Sequence, residues 1–475
     1  MPEQISVATI LLLLIAACGG DAAPATTSNP ATTTSITQAA TTTTAAHTSS
    51  STPSTSTSVA VEAADVVFLG GDIVTMDPDL GTVEAIAIKG DLILAVGTAA
   101  EVEAHIGSAT TVIDLGGRVV APGFVDAHTH ILTDMGGIAA GQVLALENGI
   151  TSLGDASIEP GLPEEFIAAS ASGELRVRTT LYLTRTDPCG DEFGTWYEAL
   201  APDSVLGDRV RVGGVKIFAD GGVCGLLASS EVFLVGYEVG APYHDLEVLT
   251  GWIRDADAAG YQVIIHAQGD LAIAQAQDAY AEVLAGGPNT RRHRIEHNAI
   301  VTEAVVTRYG ELGIVPTLFG MSSACIPDIG WTDFYKEYGD RPIDIVQANP
   351  GLIVAWHGDD PSLPPVSPII ELFSLVTRAN IAEDGSVCEP PAWMADGGVT
   401  VEQGLAMMTI NSAYALHQDH LVGSLVPGKL ADLIVLTDNL LTIPADRLPS
   451  VEVLATIIGG SVEYCAAGAE AICPG

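Results

Sequence analysis

Positive charge is what this sequence has least of. Its 475 residues carry 18 Lys and Arg against 59 Asp and Glu, a formal net charge of −41. Such a surface repels phosphate backbones and anionic membranes, so nucleic acid and direct lipid binding are set aside as partners. A long hydrophobic run is lacking as well. The uncharged apolar stretch Ile5 to Ala17 is too short to span a bilayer and has the length of a signal-peptide core. From about Asp21 to Glu62 almost no large apolar residue occurs. That Thr-, Ser-, Ala- and Pro-rich segment cannot bury enough surface to order itself and reads as a flexible stalk. Cysteine is sparse, seven in all. Setting Cys18 apart leaves Cys189, Cys224, Cys325, Cys388, Cys465 and Cys473, an even set that permits disulfides outside the cytosol. Cys465 and Cys473 are neighbours in a Gly/Ala-rich tail and are the favoured pair. For Cys224, shortly after a lysine-bearing strand, a structural disulfide is preferred to a thiolate ligand.

The apolar run ends Leu14-Ile15-Ala16-Ala17-Cys18-Gly19-Gly20, which resembles a bacterial lipoprotein cleavage box. That resemblance implies lipidation at Cys18 and an exported protein anchored to the membrane only through its lipid. The positive charges that normally precede such a core are absent from Met1 to Ser6.

The chemistry-bearing residues follow in order. In Ala121-Pro122-Gly123-Phe124-Val125-Asp126-Ala127-His128-Thr129-His130, the period-two alternation of a strand points His128 and His130 the same way. Two imidazoles on one strand end can hold a divalent ion such as zinc. Lys216 lies in the apolar run Val215-Lys216-Ile217-Phe218, which leads into Asp220-Gly221-Gly222. It is either a snorkelling side chain or an amine in a low-dielectric pocket, whose lowered pKa favours a carbamate with carbon dioxide. His266 and His297 each end an apolar run just before a helix. One such histidine reads as structural, whereas two at successive β-α units favour metal ligands. Asp359 follows Leu352-Ile353-Val354-Ala355-Trp356-His357-Gly358, where an aspartate serves either as a cap or as a ligand. One carboxylate, four imidazoles and a lysine are the ligand set of a two-metal hydrolytic centre.

Together these residues resemble the amidohydrolase superfamily, in particular the amidohydrolase-3 branch that includes N-substituted formamide deformylases. The similarity runs from Asp65-Val66-Val67-Phe68-Leu69-Gly70-Gly71 to the closing segment Gly423-Ser424-Leu425-Val426-Pro427-Gly428-Lys429-Leu430-Ala431-Asp432-Leu433. It implies that the first barrel strand supplies His128 and His130, and the fourth a carboxylated Lys216. The fifth and sixth supply His266 and His297, and the eighth supplies Asp359. The resemblance departs at three places. The eighth-strand turn, Gly-Ser-Asp-x-Pro in the family, reads His357-Gly358-Asp359-Asp360-Pro361, and the proline spacing selects Asp359 over Asp360. The stretch between the His-x-His strand and Gly149-Ile150-Thr151-Ser152 is much shorter than in the branch, so the loops over the substrate differ. Ala299 stands where relatives often carry Gln.

Short apolar runs alternate with amphipathic stretches from Val119 onward, and with the two histidine strands the count reaches eight. This pattern predicts a (β/α)8 TIM barrel, which at roughly 250 residues or more forms one domain. The expected division is residues 1–18 signal peptide, 19–62 stalk, and 121–421 barrel. Residues 63–120 and 422–475 are expected to pair as one small β-sandwich. The expected activity is hydrolysis of a non-peptide C–N bond in a small-molecule amide or formamide. Two divalent ions, zinc by ligand type, would share a bridging hydroxide, and Asp359 would pass its proton to the leaving nitrogen. The alternatives are a mononuclear deaminase of the same superfamily and a ligand-binding surface lipoprotein without catalysis. Lys216 argues against the first, and the full ligand set against the second.

Overall fold

Eight short segments with nearly every side chain buried form the centre of the molecule. In the computed structural model the described residues are 61–473, apart from 223, 231–237, 322–340, 362–365, 383, 391 and 393. Cys18, the expected signal core, nearly all of the expected stalk and Cys325 therefore lie outside the described residues. The strands are β1 (Phe124–Thr129), β2 (Ile150–Ile158), β3 (Arg178–Thr184), β4 (Val210–Phe218), β5 (Gln262–Ala267), β6 (Arg294–His297), β7 (Val315–Phe319) and β8 (Ala355–His357). They are parallel and hydrogen-bonded in sequence order. Two backbone bonds close the ring between β8 and β1, where Asp359 N donates to His128 O (3.1 Å) and His130 N donates to Asp360 O (2.8 Å). A sheet with a packed interior and helices outside needs apolar side chains on both faces, hence runs such as Gln262-Val263-Ile264-Ile265-His266-Ala267, all buried. This is the (β/α)8 barrel.

The connecting helices start and stop on local signals. Thr302 caps Glu303–Leu312 by accepting from Val305 N, and Ser367 caps Pro368–Thr377 by accepting from Ile370 N. Leu246–Ala259 stops at Gly260, whose φ of 101° suits glycine.

The N-terminal end of the barrel is plugged by the turns around Ser412–Ala415. Ala415 O accepts from Gln262 Nε2 (3.0 Å) and Arg294 Nη1 (3.2 Å), and Gln418 Nε2 donates to Thr180 Oγ1 (2.6 Å). Ala413, Leu416 and Val422 pack there against Val125, Tyr182 and Ile264.

Strands from both flanks of the barrel build the remaining β structure. Leu433–Leu436 pairs antiparallel with Val119–Pro122 inside a six-stranded sheet, with Ile434 opposite Ala121. A four-stranded sheet runs in the order Leu92–Gly97, Ala85–Lys89, Val66–Leu69, Thr111–Asp114. One apolar core contains residues of both, including Phe68, Ile86 and Ile113 with Val120, Leu433 and Ile457. This region is tied to the barrel by Arg178, whose Nε and Nη2 donate to Asp432 (2.6 and 3.0 Å). Cys465 is joined to Cys473, and Cys189 to Cys224, which links the loops that follow β3 and β4. Cys388 is disulfide-bonded as well. Among the described residues no helix is long and apolar enough to cross a membrane.

Candidate metal centre

Every residue expected to hold metal lies at the C-terminal end of a barrel strand or in the turn just after it. His128, on β1, is fully buried and its Nδ1 is 2.7 Å from Glu296 Oε2. That bond leaves Nε2 facing the centre, 3.3 Å from Asp359 Oδ1 and 3.2 Å from Lys216 Nζ. His130 Nε2 is also 3.3 Å from Asp359 Oδ1. His128, His130 and Asp359 form one group with ligand atoms within 4.8 Å of one another, and His297, His357 and Asp359 form a second. Asp126 Oδ1, buried beneath, accepts from His128 N (3.0 Å) and Gly358 N (3.3 Å), so one carboxyl holds both ligand-bearing turns.

Simple alternation does not account for β6. Arg294 and Glu296 share the inward face, Arg294 Nε lying 3.0 Å from Glu296 Oε1, while Ile295 packs outward in the main core. His297 should follow Ile295 outward. Instead His297 and Asn298 adopt left-handed backbone, φ 74° and 58°, which swings the imidazole back over the barrel. Asn298 Nδ2 secures the turn by donating to Ile295 O (2.9 Å) and Thr317 O (3.2 Å). Asp359 is also left-handed, at φ 56°. Such backbone costs about 1–3 kcal/mol each and collects at functional sites.

His266 stands beside His297, ring centroids 4.4 Å apart, with its Nε2 3.0 Å from Gly221 O. With Nε2 donating to that carbonyl, Nδ1 carries the lone pair a metal would use. Lys216 is fully buried, with Nζ 4.6 Å over the Phe218 ring. Burial pulls its ammonium down to about 8, against the opposing charges of Glu296 and Asp359. Burial would raise Glu296, but the Arg294 guanidinium and His128 outweigh it and hold the carboxyl at about 2. Burial, followed by the Lys216 charge, lowers His266 to about 3, which keeps it a neutral imidazole.

The donor set fits a transition-type divalent ion. His130 Nδ1 and both nitrogens of His297 and of His357 are buried without a hydrogen-bond partner among the described residues. Buried polar atoms rarely stay unsatisfied, and imidazole with carboxylate suits zinc and its neighbours.

Sequence reasoning passed over two participants. Glu296 was read only as part of the strand leading to His297, yet it orients His128. His357 was quoted within its strand without a role. Its signal was available, since His357 and Asp359 stand two residues apart, as His128 and His130 do.

Fold and site together define the class as a (β/α)8 barrel with a histidine-rich candidate metal centre at its C-terminal mouth. The Amidohydrolase family model matches residues 133–464, and the chain belongs to that family. It is 30% identical over 342 residues to Protein LONG AFTER FAR-RED 3 of Arabidopsis thaliana, covering 67% of this chain and 55% of that protein. It is 25% identical over 333 residues to N-substituted formamide deformylase of Arthrobacter pascens, covering 66% and 57% respectively. The chain thus spans about half the length of these curated relatives. A metal-dependent hydrolase from Pyrococcus horikoshii OT3 superposes with a TM-score of 0.65 at 17% identity, over 80% of this chain and 99% of that one.

Proposed function

We propose that this protein is a metal-dependent hydrolase of a non-peptide C–N bond in a small amide or formamide. The observation that carries the reading is the convergence of two overlapping His/Asp groups and a buried lysine at the barrel mouth. The formamide deformylase relative supports the substrate class. Two divalent ions held there would supply a Lewis acid and a water acidic enough to attack near neutral pH. His128, His130 and Asp359 would hold one ion, His266 and His297 the other, and Lys216 as its carbamate would bridge them. Asp359 Oδ1, facing both imidazoles of β1, is placed to serve as the base that would accept a proton from the attacking water and return it to the leaving nitrogen. Glu296 keeps His128 in the tautomer that presents Nε2 to the centre. In this reading the enzyme is exported and lipid-anchored through Cys18, and the disulfides Cys189–Cys224 and Cys465–Cys473 support an oxidising location.

The test is a screen of the purified protein against N-formyl and N-acyl amines, before and after chelation and with zinc restored. Release of amine that disappears with chelation and returns with zinc is expected. Turnover indifferent to chelation, or release of ammonia from an aminated ring as the sole activity, would overturn the reading.

A further inference from the structure

Resting on the metal-centre reading above, we propose that His357 is itself a metal ligand that joins His266 and His297 at the second ion site, with Asp359 shared between the two sites. No ligand was expected at this position, where the resembling motif has glycine.

Several other histidines of this chain have at least one ring nitrogen hydrogen-bonded. His293 accepts from Val263 N at Nδ1 (3.0 Å) and lies 3.1 Å from Asp257 at Nε2. His417 Nε2 is 3.0 Å from Arg291 O, and His128 and His266 each have one nitrogen bonded, as described. His357 is fully buried and neither nitrogen has a partner among the described residues. Its ring packs against Phe319 (centroids 4.4 Å) and lies 4.9 Å from His297. Packing explains where the ring sits but leaves two polar atoms desolvated and unpaired, which is unfavourable. A bound ion removes part of that cost.

Geometry supplies the second leg. The ligand atoms of His297, His357 and Asp359 lie within 4.8 Å of one another. Ring closure sets β8 against β1, so the His357-x-Asp359 pair faces the His128-x-His130 pair across the bond from Asp359 N to His128 O. Asp359 belongs to both groups and is placed between the two ions. Imidazole-rich coordination selects zinc, cobalt or nickel over magnesium or calcium.

The test uses full-length protein stripped with chelator and reloaded stepwise with Co2+ or Zn2+, wild type against His357→Gly and His357→Gln. Elemental analysis counts the ions and the Co2+ visible spectrum reports each site. The wild type should take up two ions. Both variants should keep the first and hold the second roughly tenfold or more weakly, with an altered second-step spectrum. A second ion bound with wild-type affinity and spectrum in the variants overturns the role of His357 while leaving the metal-centre reading intact. A wild type that binds no ion overturns both. Zinc-soaked wild-type crystals need no mutation. An anomalous peak among His297, His357 and Asp359 supports the site, and a second ion seated out of reach of His357 refutes it.

Discussion

The two ends of the barrel treat buried polar atoms in opposite ways. At the N-terminal floor, Gln262 and Arg294 reach Ala415 O, Gln418 reaches Thr180, and Tyr182 Oη donates to Gln262 Oε1 (2.8 Å). At the C-terminal mouth, His297 and His357 have neither nitrogen bonded among the described residues, and His130 Nδ1 and both carboxyl oxygens of Asp360 likewise have no partner there. Both ends are equally dry, so burial does not explain the contrast. These floor groups are satisfied by the protein itself and stabilise the fold, with Ser152 Oγ and Arg211 Nε the unpartnered atoms at that end among the described residues. The mouth leaves its donors open, as a site must if something else is to complete it. Arg294 and Glu296 join the two, since one salt-bridged pair reaches from Ala415 O at the floor to His128 Nδ1 at the mouth.

The sharpest way to break this contrast is to alter one residue at each end. Asp359→Asn keeps the shape of the mouth but removes the charge and the proton acceptor. Turnover should fall by roughly three decades or more, about 4 kcal/mol of barrier, with the melting temperature of the metal-free protein little changed. A variant that retains near-normal turnover would show that the open carboxylate is incidental.

Arg294→Ala is expected to act through stability. It strands the Glu296 carboxylate in a site with no exposure, and breaking such a buried pair costs about 3–5 kcal/mol. Denaturant unfolding of the metal-free protein measures this. A loss under about 1 kcal/mol would mean that the floor network contributes less than its complete bonding implies.

The smallest expected effect is a pH dependence. Glu296 is held at about 2 against an ordinary 4.5, so the folded state favours the ionised form. The resulting stability, roughly 3 kcal/mol, is fully present above pH 4.5 and is lost as pH falls toward 2. Glu296→Gln should flatten the metal-free protein's acid limb in that window. An unchanged slope would place the carboxyl's pKa near its ordinary value.

What could be read in advance follows the same division. The eight strands were legible because apolar runs such as Val263-Ile264-Ile265 are buried on both faces and leave no other reading. His128 and His130 were legible through period two alone. Glu296 with His297 was not, because alternation allows only one of two adjacent residues to face inward. Left-handed backbone at His297 and Asn298 overrides that rule, and nothing local in Ile295-Glu296-His297-Asn298 announces it. The floor was equally hidden. Ser412–Ala415 is the last turn of the helical stretch Val401–Ala415, and its role depends on contacts with residues more than a hundred positions away. Disulfide pairing was legible only where the cysteines are close in sequence. Cys189 and Cys224, 35 residues apart, are brought together by neighbouring barrel loops.

The proposed function requires a metal pair to complete the open mouth around Lys216. The most direct measurement is the metal content of full-length protein, wild type beside Lys216→Ala, each dialysed and analysed for zinc per chain. Two ions are expected in the wild type and a loss of at least one in the variant, partly restored by a short carboxylate standing in for the carbamate. Equal metal content in both proteins, with turnover unchanged, would contradict it and leave Lys216 a structural residue.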